Sequence, residues 1–311
     1  MTSFQGKLKI RHLEIVLAVA DCGNLSRATT QLGLTQSGLS RAIAEIEELA
    51  GGRLFERTPR GMTCTQLGLS MCRHAGTLLG NFRKAEADLA AIAGGNLGSI
   101  TVGCFSMFSG WPLADAVQAF RVSHPQVTLT MQIGTHERLI KDLDSADIDV
   151  LISRYTPGLD PQTYRFLSLL EDAIVLGCSL QHPLAGKQKV TLADCVAFPW
   201  ITPLPGSRLR AELHNLLRAN KLAEPEMVGA LSPEFGREML AGGDYLWMLP
   251  GSVAAVMRSK GAIHVLSVEM ALRHSPMAAI WRRDRPSTRE VRAFSATLSK
   301  VIKAEKALTG N

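Results

Sequence analysis

Gln36, Ser37, Ser40 and Arg41, with Thr35 just ahead of them, are the residues of this chain best suited to read another molecule by hydrogen bonding. A glutamine amide bonds the adjacent donor and acceptor of an adenine edge, an arginine does the same on guanine or holds a phosphate, and a hydroxyl bonds either. If Thr35 opens a helix, these positions share one side of its first two turns, which is the end a helix-turn-helix presses into the major groove. A helical hairpin with a solvated polar face uses the same residue types.

The neighbouring residues predict how that face is held. Asn24 is a good helix cap, and Leu25, Ala28 and Leu32 then fall on one face of a first short helix. Gly33 supplies the left-handed residue that ends it. Thr35 caps the second helix, whose Leu39, Ile43 and Ile46 are spaced by four and three for burial. Residues 51–63, Gly-Gly-Arg-Leu-Phe-Glu-Arg-Thr-Pro-Arg-Gly-Met-Thr, predict a short hairpin with Arg57 and Arg60 near its tip. Such a wing lies along the DNA backbone and places an arginine in the narrow minor groove.

With these segments in place, the sequence resembles the LysR-type transcriptional regulators. The shared features are the Ser26-Arg27-Ala28 turn, Leu39-Ser40-Arg41 in the second helix and Leu54-Phe55-Glu56-Arg57 leading into the wing, and the match runs without a gap from about Leu8 to Gly68. The resemblance implies DNA contacts by Thr35, Gln36, Ser37, Ser40, Arg41 and Arg57, with Arg60 in the minor groove. Two departures stand out. Ser37 replaces a usual proline in the first helical turn, and Ala50-Gly51-Gly52 replaces a leucine-glycine-hydrophobic turn, which predicts a looser wing hinge.

Composition fits that reading. The 311 residues suffice for two or three domains with cores, and a formal charge of +6 favours a polyanionic partner. The six cysteines, at 22, 64, 72, 104, 178 and 195, form no paired motif and are expected as small buried thiols in a reducing cytosol. A secretion signal is not apparent and no apolar run approaches the roughly 18 residues of a membrane span, so a cytoplasmic protein is expected.

From Thr65 to Ala93 no proline occurs, and Met71, Ala75, Leu78, Phe82, Ala85, Leu89 and Ile92 alternate spacings of four and three. That is the seam of a two-stranded coiled coil, so Met71, Leu78, Phe82, Leu89 and Ile92 are expected to dimerise the chain. In the resembled family this linker helix pairs antiparallel, which implies an interrupted inverted repeat as the DNA target.

After the break at 94–98 the periodicity becomes that of alternating strands and helices: 99–104, 127–133, 149–153, 173–177, 200–202, 226–230 and 245–249 extended, with helices between. A mostly parallel sheet with right-handed crossovers is expected, in two α/β lobes joined by crossings near 160–170 and 262–270. The layout, with His182-Pro183-Leu184, Leu192-Ala193-Asp194, Pro199-Trp200 and Leu249-Pro250, resembles the two-lobed effector domain of LysR-type regulators, which is built like periplasmic binding proteins. The expected division is a winged helix-turn-helix at 1–64, a linker helix at 65–94 and an effector domain at 95–311. Its first lobe takes about 95–164 and 268–311, and its second about 165–267.

Ligands in such folds sit at strand C-termini between the lobes. By position Ser106, Met107, Thr135, Arg154, Thr202, Pro203 and Ser232 are the expected effector contacts, although each hydroxyl could equally cap a helix or turn. Phe105, Met107 and Phe108 suit an apolar pocket for an aromatic acid or sulfonate, or serve as core. The segment 199–207 resembles the branch that regulates sugar-binding-protein and protocatechuate-pathway genes, which keeps a sugar or sugar acid open as well.

Other classes fit less well. There is no dinucleotide glycine fingerprint, no phosphate-binding lysine loop, no glycine-flanked serine elbow, and the eight histidines lack metal-ligand spacing, so neither an enzyme nor a cofactor or metal is expected. A solute-binding protein for import would need a secretion signal, and a nonspecific nucleoid protein would leave about two thirds of the chain without a role. The expectation is a sequence-specific transcriptional regulator, a homodimer or homotetramer on double-stranded promoter DNA, with a small-molecule effector and RNA polymerase as further partners.

Overall fold

Backbone caps delimit the first helices. The computed structural model describes residues 4, 6–59, 61–155, 158–268, 270, 272, 276–285 and 287–309, the last five as backbone alone. Helix α1 (Ile10–Cys22) buries Leu13, Ile15, Val16 and Val19 and stops at Gly23, which takes φ 57°. Asn24 accepts the Ser26 amide at 2.8 Å and opens α2 (Leu25–Leu32), which stops at Gly33 in the left-handed region. Thr35 Oγ1 accepts the Gly38 amide at 3.1 Å and opens α3 (Gln36–Ala50), and Leu39, Ile43 and Ile46 enter the core as their spacing requires.

Strands β1 (Phe55–Thr58) and β2 (Gly61–Cys64) form the expected antiparallel wing. Thr65 caps the long helix α4 (Gln66–Ala93), whose Gly68 lets its backbone pass directly against the Leu54 carbonyl. Met71, Ala75 and Leu79 of α4 join Val16, Val19, Ala28 and Ile46 in one core. Met71 is 9% exposed. Its assignment to a dimer seam is therefore corrected: at that position the repeat packs α4 on α1 of the same chain, because a seam and a core stripe share one spacing.

The chain divides into two compact units, one of residues 1–101, 126–129 and 140–149 and the other of 102–125, 130–139 and 150–311. Among the described residues two five-stranded sheets complete the fold. The first orders β4 (Val127–Gly134), β3 (Gly98–Phe105), β5 (Val150–Arg154), β12 (Met277–Arg282) and β6 (Tyr164–Leu170). The second orders β11 (His264–Val265), β7 (Ile174–Cys178), β10 (Leu246–Pro250), β8 (Trp200–Thr202) and β9 (Met227–Gly229).

The expectation of mostly parallel sheets is corrected, because both are mixed. β3 runs parallel to β5, and β8 to both β10 and β9, whereas β12 is antiparallel to β5 and β6, and β7 to β10 and β11. β6 and β7 are joined by residues 171–173 alone, so the chain passes from the first sheet to the second there. The expected crossings near 160–170 and 262–270 are thus partly strands. β6 stays in the first sheet to Leu170, with Phe166 opposite Ile280 and Leu167 opposite Ala279.

Helices cover the sheets: α5 (Leu113–Ser123), α6 (His136–Asp144), α7 (Leu192–Cys195), α8 (Arg208–Ala219), α9 (Pro233–Gly242), α10 (Gly251–Ser259) and α11 (Arg289–Thr309). Phe294 of α11 meets Phe120 of α5 edge to face at 5.5 Å. Trp200 is fully buried and donates its indole proton to the Cys195 carbonyl at 2.9 Å, so the Pro199-Trp200 motif is a core feature of the second sheet. Cys104, Cys178 and Cys195 are buried as expected, and burial pushes their thiols up to about 12, 11 and 12.

Candidate DNA interface and effector cleft

Thr35, Gln36, Ser37, Ser40 and Arg41 are all exposed and form one polar face at the start of α3. The first turn of α3 carries no acidic residue that would repel a phosphate. Ser37, standing at the usual proline position, brings its hydroxyl to 3.3 Å from Thr35 Oγ1, and Arg41 Nε donates to the Ser37 carbonyl at 3.4 Å. Arg57 is exposed on β1, while Arg60 lies outside the described residues. A contact absent from the sequence expectations holds the wing: Glu47 Oε1 accepts the amides of Leu54 at 2.7 Å and Phe55 at 3.2 Å. Glutamate on the rear of a recognition helix gives no sequence signal of its own, since the partners are backbone.

On α4 the apolar stripe separates into two parts. Leu78, Phe82, Leu89 and Ile92 are 47%, 52%, 68% and 61% exposed, a run of apolar surface that a helix otherwise avoids. The opposite side of α4 rests on the turn after α6. Lys84 Nζ donates to Ser99 O at 2.5 Å, Ser99 Oγ at 2.9 Å and Asp149 Oδ2 at 3.2 Å, and Arg83 pairs with Asp147 at 2.7 Å.

A cavity of about 520 Å³ opens in the second unit. Phe105, Met107, Ile174, Met248 and Leu249 give it apolar walls, and Thr135, His136, Ser153, Arg154, Tyr155, Ser207, Arg208 and Glu212 give it polar groups. Four of the expected contacts are here: Met107, Thr135, Arg154 and Pro203. Thr135 Oγ1 accepts the Arg138 amide at 3.4 Å and so caps α6 while lining the cavity. Arg154 donates to Asp172 at 3.3 Å and stands 5.7 Å over the Phe108 ring. Burial lowers its pKa, opposed by the Asp172 charge. Phe108 itself is core.

Three other expected contacts have their hydroxyls engaged within the protein. Ser106 Oγ donates to the Leu231 carbonyl at 2.6 Å, Thr202 is buried and accepts from the Arg210 guanidinium, and Ser232 caps α9 by accepting the Phe235 amide at 3.1 Å. None of the three is among the residues that line this cavity. His136 was missed. It follows the capping Thr135, and its Nδ1 lies 2.9 Å from Oγ of the buried Ser153. Burial lowers its pKa, with Glu137 opposing, so the imidazole faces the cavity neutral near pH 7.

Among the described residues no group of three or more histidine, cysteine, aspartate or glutamate side chains could hold a metal, and no helix is long and apolar enough to cross a membrane.

Residues 10–69 match the model for the bacterial regulatory helix-turn-helix protein, lysR family, and residues 93–303 match the LysR substrate binding domain. The transcriptional regulator GbpR of Azospirillum brasilense is 26% identical over 94% of this chain and 86% of its own length. PcaQ of Agrobacterium fabrum is 24% identical over 89% and 90%. Full-length CbnR in complex with its target DNA superposes with a TM-score of 0.60 at 21% identity, covering 94% of this chain and all of that one.

Proposed function

The chain belongs to the LysR family of bacterial transcriptional regulators, a DNA-binding regulator with an effector-binding domain, and on that premise we propose which of its residues carry each task. Gln36, Ser37, Ser40 and Arg41, assisted by Thr35, read base edges and phosphates in the major groove. Arg57 and Arg60 follow the backbone into the adjacent minor groove. The observation that carries this reading is the exposed polar face at the start of α3, backed by a wing that Glu47 ties to the same helix.

The exposed Leu78, Phe82, Leu89 and Ile92 pair two chains through α4, and a homodimer or a tetramer built from two such pairs binds an interrupted inverted repeat. The working division is 1–64 for the winged domain, 65–94 for the linker helix and the remainder for effector binding. The regulator acts in the cytoplasm, contacts RNA polymerase at the promoter, and carries no catalytic role.

The effector is a small organic acid bound in the 520 Å³ cavity. Apolar walls of Phe105, Met107, Ile174 and Met248 suit an aromatic ring, and the start of α6 at Thr135 and His136 suits its carboxylate or sulfonate. A sugar or sugar acid is the second reading, favoured by the Arg208–Glu212 pair at 2.8 Å, which could bond vicinal hydroxyls. Binding changes promoter occupancy only if one arrangement of the protein holds the ligand better than another.

Thermal unfolding of the full chain against benzoates, benzenesulfonates, sugars and sugar acids tests this. A ligand at about 100 times its dissociation constant adds roughly 2.7 kcal/mol. The effective class should lose its shift in Thr135→Val and Met107→Ala, and a shift untouched by both would remove the cavity from consideration.

A further inference from the structure

Two of the cysteines touch. Cys64, the last residue of β2, and Cys72, on the second turn of α4, bring their Sγ atoms to 4.0 Å, and both side chains are half-buried. The segment between them is held by Thr65, whose hydroxyl donates to the Arg53 carbonyl at 2.7 Å and accepts the Gly68 amide at 3.0 Å. All six cysteines are free thiols, and Cys104, Cys178 and Cys195 are fully buried. Cys22 already donates to Gln31 Oε1 at 3.2 Å.

We propose that Cys64 and Cys72 are a redox pair that closes to a reversible disulfide, fastening the wing to the linker helix when the protein meets a peroxide. A disulfide needs its sulfurs about 2.0 Å apart, so two side chains already in contact have about 2 Å left to close. In the first step the Cys64 thiolate attacks one peroxide oxygen, the O–O bond breaks, and hydroxide leaves as Cys64 becomes a sulfenic acid. In the second, Cys72 gives up its proton and its sulfur attacks the Cys64 sulfur. The S–O bond breaks, and the hydroxide released takes that proton as water. Two thiols and one peroxide give one disulfide and two waters.

The order of the steps follows from the site. Burial first, then the Cys64 charge and its hydrogen bond, hold the Cys72 thiol up at about 12. A thiol held there is a poor first nucleophile. Cys72 acts second, on a sulfenic acid already in contact with its sulfur.

Both cysteines fall in one tryptic peptide, residues 61–73, between Arg60 and Arg73. Full-length protein treated with a small excess of hydrogen peroxide, alkylated with N-ethylmaleimide and digested without reduction should yield this peptide unlabelled and lighter by two hydrogens. Dithiothreitol should restore two labels. Cys72→Ser should leave Cys64 as a sulfenic acid captured by dimedone. Two labels surviving at a dose that oxidises Cys22 would overturn the proposal, as would a Cys64 that passes to sulfinic acid in the wild type or bridges to a different cysteine.

Discussion

The carbonyl oxygen of Ser145 occupies the space that a side chain on Gly80 would fill, so α4 and the turn after α6 meet backbone to backbone. Gly76, one helical turn earlier, faces the same turn with its nearest atoms at 3.8 Å. The two glycines therefore differ in what an added methyl meets, although both sit inside a helix where glycine is intrinsically unfavourable.

Gly80→Ala should destabilise the protein by about 1–3 kcal/mol, because the methyl must push the two backbones apart. Gly76→Ala should be neutral or stabilise it by up to about 1 kcal/mol through helix propensity. Urea unfolding of both variants checks the pair, and equal effects would mean that α4 does not rest on Ser145.

His136 sets a pH dependence. Its folded-state pKa lies below the ordinary 6.5 because burial disfavours the imidazolium. Just below that pH the unfolded chain binds more protons than the folded one. The contribution is full above 6.5 and is lost as the pH falls through the folded-state value. Unfolding midpoints measured from pH 7.5 to 5 should decline less steeply in His136→Gln than in wild type, and parallel declines would remove His136 as the cause.

Charge on the exposed stripe of α4 should separate the subunits. Phe82 and Leu89 are more than half exposed, so Phe82→Glu with Leu89→Glu leaves the fold of one chain intact while placing like charges in the proposed seam. Sedimentation velocity should show the α4-mediated pair lost, with unchanged helical circular dichroism. Unchanged assembly would place dimerisation elsewhere.

The winged domain was legible because its signals are local: Asn24, Gly33 and Thr35 each act on backbone within four residues, and Leu39, Ile43 and Ile46 follow one period. The same period could not separate Met71, which packs on α1, from Leu78, which faces outward, since a seam and a core ask for the same spacing. β12 escaped notice because Met277 to Ile280 is buried on both faces and shows no alternation. In the cleft, position alone could not tell Thr135, which lines the cavity, from Thr202, which Arg210 claims from eight residues away. His136, on α6, needed the fold, because Ser153 reaches it from strand β5.

The central claim is that the face at the start of α3 reads DNA sequence. Genomic fragments enriched on the wild-type protein supply a binding site, and the affinity of wild type and Gln36→Ala for that site and for its single-base variants is then measured at fixed salt. Gln36→Ala should lose about 1–3 kcal/mol of discrimination at one base step in each half-site while keeping its affinity for unrelated duplex, which rests on phosphate contacts. The same preference at every step in both proteins would contradict the account.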